Sequence, residues 1–316
     1  MTGGGRGLRE NPAMGRTAAI ALGLALFLAS PCAAGIFSHS QSHAAPAAVG
    51  GAKTAALAAQ VRQALDERRY VDAGTLLDQA LAQGMKSPEL TTLTGELLLA
   101  RNRYADALDV FRGVAADPTQ KAQALEGEGL ALSLLSRSAE ALAQLKAATE
   151  ADKGLWRAWN ALGSEYDQRR DWKNAEAAYG KALAAPGVNT AVVLNNRGYS
   201  RLLQQQLKEA GADFVAALEK DPSLSQARTN LRLTLAMEGH YARAAMTGAG
   251  DDRAAVLNNV GVAAAMRGDF IEADKMFNEA MAAKGQFYAR ASENLQVSHD
   301  LAARKDETDK DIDATH

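Results

Sequence analysis

The sequence predicts an all-α chain, a solenoid of stacked helix-turn-helix units, and three observations carry that reading. Apolar residues make up 47% of the chain and aromatics only 5%, so the apolar content is mostly Ala and Leu, both good helix formers. A glycine recurs at Gly95, Gly129, Gly163 and Gly198, at separations of 34, 34 and 35 residues; a fixed period of this size marks a repeat architecture. Each glycine is followed twelve residues later by Ala107, Ala141, Ala175 or Ala210, and four further on by Phe111, Leu145, Tyr179 or Phe214. A small residue beside a large one is how neighbouring helices interlock. Because a self-similar array can form one elongated body, 316 residues do not by themselves imply two domains.

In chain order, residues 1–34 read as a secretory signal peptide. Thr17 to Ala34 is an apolar run behind Arg16 with small residues at its far end, the order of such signals. Its core, Ala18 to Ala29, is shorter than the roughly 20 apolar residues that a membrane-spanning helix needs, so the mature chain is expected to have no transmembrane helix. A start at Met14 gives a tidier signal than Met1. Cleavage near Ala34 is the main expectation; lipidation of Cys32, with membrane attachment, is the alternative. Cys32 is the only cysteine, which excludes an intramolecular disulfide and a cysteine-based zinc site. Residues 35–53 read as a flexible linker rich in Ser, His, Ala, Pro and Gly; His39 and His43 belong to it, since no carboxylate accompanies them.

The solenoid is expected over 54–305. A first unit has Tyr70, Ala73, Leu77 and Ala80 on its second helix and no glycine on its first, as befits a terminal repeat. Leu155 to Ala185 is the most complete unit. Trp159, Leu162 and Tyr166 share one face of its first helix; Ala175, Tyr179 and Ala182 share one face of its second, across the polar break Arg169 to Asp171. Asp117-Pro118 and Asp221-Pro222 stop helices between units. After Gly198 the period falls on Arg232, with Ala244 twelve later. Thr247 to Gly250 then replaces the rest of the second helix, and the next glycine, Gly261, follows after only 29 residues. That truncated unit is where a bend, a hinge or a partner contact is expected. Ala273, Phe277 and Ala280 resume the pattern, and Gln286 to Lys305 is expected to be a capping helix. Residues 306–316 read as a disordered acidic tail.

Chemistry is scarce. The sequence lacks a Walker loop, an HExxH motif and a nucleophile elbow. No cofactor or metal is expected, and the chain is not read as an enzyme. Glu165 and Asp167 are taken as carboxylates on polar faces without partners, and His240 as an exposed turn residue. A net charge of -2 gives no footprint for nucleic acid. Stacked helical pairs instead present a concave surface lined by their first helices. Counting from the glycines, its lining includes Arg157, Asn160 and Ser164, then Asn195, Tyr199 and Leu202, then Thr229 and Leu233, then Asn258. The asparagines would hold a peptide backbone, and Tyr199, Leu202 and Leu233 its side chains. The alternative is that the C-terminal helix covers the apolar part. Asn196, Asn230 and Asn259, one place further on, are read as part of the generic repeat.

Trp159, Leu162, Gly163, Tyr166, Ala175, Tyr179 and Ala182 are spaced as in a tetratricopeptide repeat, and Met85 to about Ala303 resembles a tetratricopeptide-repeat protein. The resemblance implies a right-handed superhelical solenoid that binds protein partners. More narrowly, LNNVGVAAAMRGDFIEADKMFNEAM (Leu257 to Met281) followed by YARASENL (Tyr288 to Leu295) resembles the TadD subfamily of tight-adherence (Flp) pilus assembly proteins. This implies a non-catalytic periplasmic scaffold that assists assembly or localisation of the pilus secretion machinery at the outer membrane. Many members are lipoproteins; here Leu28 stands one position too far from Cys32 for the usual box. An exported binding module for polysaccharide secretion or outer-membrane protein biogenesis is the alternative.

Overall fold

The computed structural model describes residues 49–246, 251–284 and 288–313. The signal segment, Cys32, residues 35–48 of the linker and the break at Thr247 to Gly250 lie outside the described residues. Among the described residues there are fifteen helices and no strand. They come in pairs: α1 Val49–Asp66 with α2 Tyr70–Ala82, α3 Pro88–Ala100 with α4 Tyr104–Val114, and α5 Lys121–Leu134 with α6 Ser138–Ala151. Next are α7 Trp156–Gln168 with α8 Trp172–Ala184, and α9 Thr190–Leu203 with α10 Leu207–Lys220. α11 Ser225–Met237 is followed by the four-residue α12 Tyr241–Ala244, then α13 Arg253–Met266 with α14 Phe270–Lys284, and α15 Ala289–Asp313. The contacts divide the chain into two compact units, with the boundary inside α11 between Ala227 and Arg228.

Two boundaries differ from the sequence reading. α1 begins at Val49, inside the segment read as linker, and α15 runs to Asp313, through most of the tail read as disordered. Extending a helix that is already nucleated and packed costs far less than starting one. Composition by itself therefore misjudges where such helices end.

Every hairpin turns in the same way. Arg68, Asn102, Ser136, Arg170 and Gln205 all have φ between 56° and 61°, and Gly239 and Gly268 occupy the same place in the later turns. At Arg170 the backbone N–H donates to the Asp167 carbonyl (2.9 Å), and the next N–H, of Asp171, donates back to Tyr166 (3.0 Å). This pair of hydrogen bonds closes the helix C-terminus and requires a left-handed residue between. Five of the seven turns place a side chain there, so no glycine betrays them in the sequence.

The glycine period is explained by contact. A Cβ on Gly163 would stand 2.6 Å from the Tyr179 ring, and one on Gly95 would stand 2.7 Å from the Phe111 ring. Phe111, Tyr179, Phe214 and Phe277 are wholly buried. In these units the ring of the second helix packs against the bare backbone of its own first helix; Leu145 takes that place opposite Gly129, and the Phe111 ring also meets Gly127 of the next first helix. In the truncated unit Arg232 replaces the glycine. Its guanidinium is held by the Asp251 carboxylate, with Nη2–Oδ2 at 2.6 Å and Nη1–Oδ1 at 3.3 Å. A side chain of that length cannot lie under a closely packed helix, and α12 ends after one turn.

Candidate functional site

In the amino-terminal unit, the face carried by the first helices is closed rather than open. Arg157 on α7 is 3% exposed. Its Nη1 lies 3.1 Å from Glu96 Oε2 and 3.9 Å from Glu126 Oε2, and Glu126 Oε1 accepts the Ala158 N–H. Burial alone would lower the arginine pKa, but attraction to Glu96 and Glu126 outweighs it, and the group stays a cation. Among the described residues its Nε and Nη2 have no hydrogen-bond partner. The adjoining cavity, lined by Arg62, Glu89, Glu96, Gln123 and Glu126, measures about 20 Å³, which is too small for a peptide side chain.

Further along α7, Asn160 is half-buried and its Oδ1 accepts from Asn196 Nδ2 at 3.0 Å; Asn195 Nδ2 donates to Asn196 Oδ1 at 3.2 Å. Ser164, Asn195, Tyr199 and Leu202 are all buried. Glu165 and Asp167, read from sequence as unpartnered surface carboxylates, are buried and fully engaged, a correction. Glu165 accepts from Ser133 at 2.7 Å and from Ser138, with Arg169 at 3.4 Å. Asp167 accepts from Tyr179 at 2.8 Å and Ser200 at 2.6 Å. Burial pushes its pKa up to about 6 against the pull of those two hydroxyls, with Glu176 adding to the rise. Burial and then the Asp167 charge raise Tyr199. Arg157 and Asn160, read from sequence as facing a ligand, are instead bonded to side chains of neighbouring first helices.

The carboxy-terminal unit repeats the pattern. Asn258 is buried, and its Oδ1 accepts from Asn294 Nδ2 of α15 at 2.9 Å, so the C-terminal helix covers this part of the face. Leu233 is half-buried in a cluster with Ala236, Ala244 and Leu257, whereas Thr229 is exposed. His240 is exposed at the start of α12, and His299 Nε2 meets Asp274 Oδ2 at 2.8 Å. Among the described residues no group of three His, Cys, Asp or Glu is disposed to hold a metal ion, and no helix is long and apolar enough to cross a membrane.

Solved structures share this arrangement. A tetratricopeptide-repeat protein of Thermus thermophilus is 22% identical, with 58% of this chain and 98% of that one aligned and a TM-score of 0.51. The C-terminal part of a tetratricopeptide-repeat-containing protein of Cytophaga hutchinsonii is 16% identical over 75% of this chain and 99% of that one, TM-score 0.51. The fold is that of the tetratricopeptide repeat. The APC/C hetero-tetramer Cut9–Hcn1 is also similar, 16% identical with a TM-score of 0.57; the alignment spans 78% of this chain and 48% of that one. No protein-family model and no curated protein matches the chain.

Within this tetratricopeptide fold, the sequence reading missed the cross-repeat partners: Glu96 and Glu126 for Arg157, Ser133 and Ser138 for Glu165, Ser200 for Asp167. One signal was available. Asn160 and Asn196 are 36 residues apart, and so are Asn258 and Asn294, one repeat plus two places, which marks a rung between successive first helices. The Glu96–Arg157 pair spans 61 residues and leaves no comparable trace.

Proposed function

We propose that the chain is a non-catalytic, exported scaffold that holds protein partners and assists assembly or localisation of a Flp/Tad-type pilus secretion machinery. The observation that carries this is the repeated hairpin stack with its first helices tied to one another by Asn160–Asn196, Glu96–Arg157 and Asn258–Asn294. Such bonds fix successive repeats in register and make a rigid support for partners. The resemblance of Leu257 to Met281 and Tyr288 to Leu295 to the TadD subfamily supports the pilus assignment, and the apolar run Thr17 to Ala34 supports export to the periplasm. Cleavage near Ala34 leaves the chain free there; acylation of Cys32 attaches it to the outer membrane.

Affinity capture from membrane extract tests the assignment. Pilus or secretin components should be recovered with the tagged chain. Recovery of polysaccharide-secretion or outer-membrane insertion proteins in their place would move it to another envelope system, and recovery of neither would overturn it. Mass spectrometry of the mature N-terminus decides between cleavage and a lipidated Cys32.

A further inference from the structure

Between α6, α7 and α8 the amino-terminal unit opens a cleft of about 770 Å³, within the size range of sites that hold small ligands and peptide side chains. Its walls carry two half-buried aromatic rings, Trp159 and Tyr166, and its rim carries Lys146, Lys153 and Lys181. The Lys181 ammonium sits 4.1 Å from the centre of the Trp159 ring, and that of Lys146 sits 5.7 Å from the centre of the Tyr166 ring. None of the three ammonium groups is ion-paired among the described residues, whereas Lys275 and Lys284 each meet a carboxylate. Glu150 is the one carboxylate in the lining.

The cleft is not a generic product of the fold. At the equivalent place between α2, α3 and α4 a depression of about 740 Å³ has no aromatic ring and sets Asp78 and Asp117 against Lys86. The cleft thus gathers three unpaired ammonium groups and two rings, where the depression between α2, α3 and α4 gathers one lysine, two aspartates and no ring.

We propose that this cleft docks an acidic peptide segment of a partner protein, its carboxylates on Lys146 and Lys181 and an apolar side chain between the Trp159 and Tyr166 rings. A lysine held over a ring is already positioned and still has N–H groups for a carboxylate. Glu150 supplies an acceptor for a peptide N–H and repels a continuous polyanion. The inference rests on the scaffold reading, for which it names the chemistry of the bound segment.

The test uses the full chain and a short fluorescein-labelled peptide of alternating glutamate and leucine, followed by anisotropy and by tryptophan emission. The peptide should bind, and its lysine–leucine counterpart should not. Lys146→Gln with Lys181→Gln should weaken binding by at least about tenfold, with helical circular dichroism retained, while Lys208→Gln on α10 leaves it unchanged. Should the double variant lose helicity, Lys153→Gln in the intervening loop carries the same expectation with a smaller loss. Unchanged affinity in these variants, or no binding of the acidic peptide, overturns the proposal. So does equal, equally lysine-dependent binding of heparin or oligothymidylate, which would make the cleft a general polyanion site. Peptide binding without recovery of pilus components from membranes keeps the cleft and discards the pilus assignment. Recovery of those components undiminished by the double variant does the reverse.

Discussion

The repeat of α7 and α8 and the truncated repeat of α11 and α12 solve the same packing problem in opposite ways. In the first, Gly163 offers bare backbone, the Tyr179 ring covers it, and the phenol reaches on to Asp167. A second helix of thirteen residues results. In the other, Arg232 fills that place with its own side chain and turns to Asp251, with Arg228 at 3.7 Å from the same carboxylate, and the second helix stops after four residues. The difference teaches that the glycine permits the hairpin rather than bending anything. Where it is lost, an ion pair substitutes for the missing ring.

The comparison can be broken most severely by removing a ring. Phe111→Ala empties a wholly buried site against Gly95 and should cost about 3–5 kcal/mol in chemical denaturation; a loss under about 1 kcal/mol would mean the interlock is incidental. Asp167 comes next. Its native pKa is raised to about 6 above the ordinary 3.8, so the native state holds its proton more tightly than the unfolded chain does. Its contribution is complete below about pH 4 and is lost as pH rises through 6, on the order of 3 kcal/mol. Asp167→Asn should therefore gain on the parent across that window and run level above it; a pH-independent difference would place the carboxylate in contact with water.

In the truncated repeat, Arg232→Met removes charge-assisted hydrogen bonds from a largely buried carboxylate and should cost about 1.5–3 kcal/mol. Hydrogen exchange should report the loss in α11 and α13; uniform protection would show that the pair is not what closes this repeat. Gly163→Ala presses a methyl group into the Tyr179 ring, which cannot retreat while its hydroxyl is bound to Asp167. About 1–3 kcal/mol of destabilisation is expected; a neutral result would mean the ring has room to move. The smallest effects lie in the turns. Gln205→Gly should stabilise and Gly268→Ala destabilise, each by about 1 kcal/mol, since both positions have positive φ. Equal signs in the two melting experiments would contradict the shared turn geometry.

Much of the fold is legible in the sequence because a tetratricopeptide unit is written locally. Glycine, alanine and the large residue that follows lie within sixteen positions, and helix spacing converts that interval directly into a contact. The truncation is legible for the same reason, since Arg232 stands where a glycine should. The turn at Arg170 is not, because its left-handed conformation is imposed by hydrogen bonds to Asp167 and Tyr166 and not by residue type. The ligand-facing reading of Arg157, Ser164 and Asn195 assumed that a polar residue on a first helix looks outward. Burial follows from how closely the next repeat's first helix approaches, and one repeat does not encode that distance.

The sequence by itself therefore determined the helices, their pairing and the place where the series falters, each set by residues within sixteen positions of their partners. Only the tertiary structure decided that Arg157 answers to Glu96 and Glu126, that Asp167 is a buried acid between two hydroxyls, and that three lysines and two rings from α6, α7, α8 and the loop between α6 and α7 share one cleft. Those outcomes depend on distances between separate helices, and such distances are set by the stacking of whole repeats against one another.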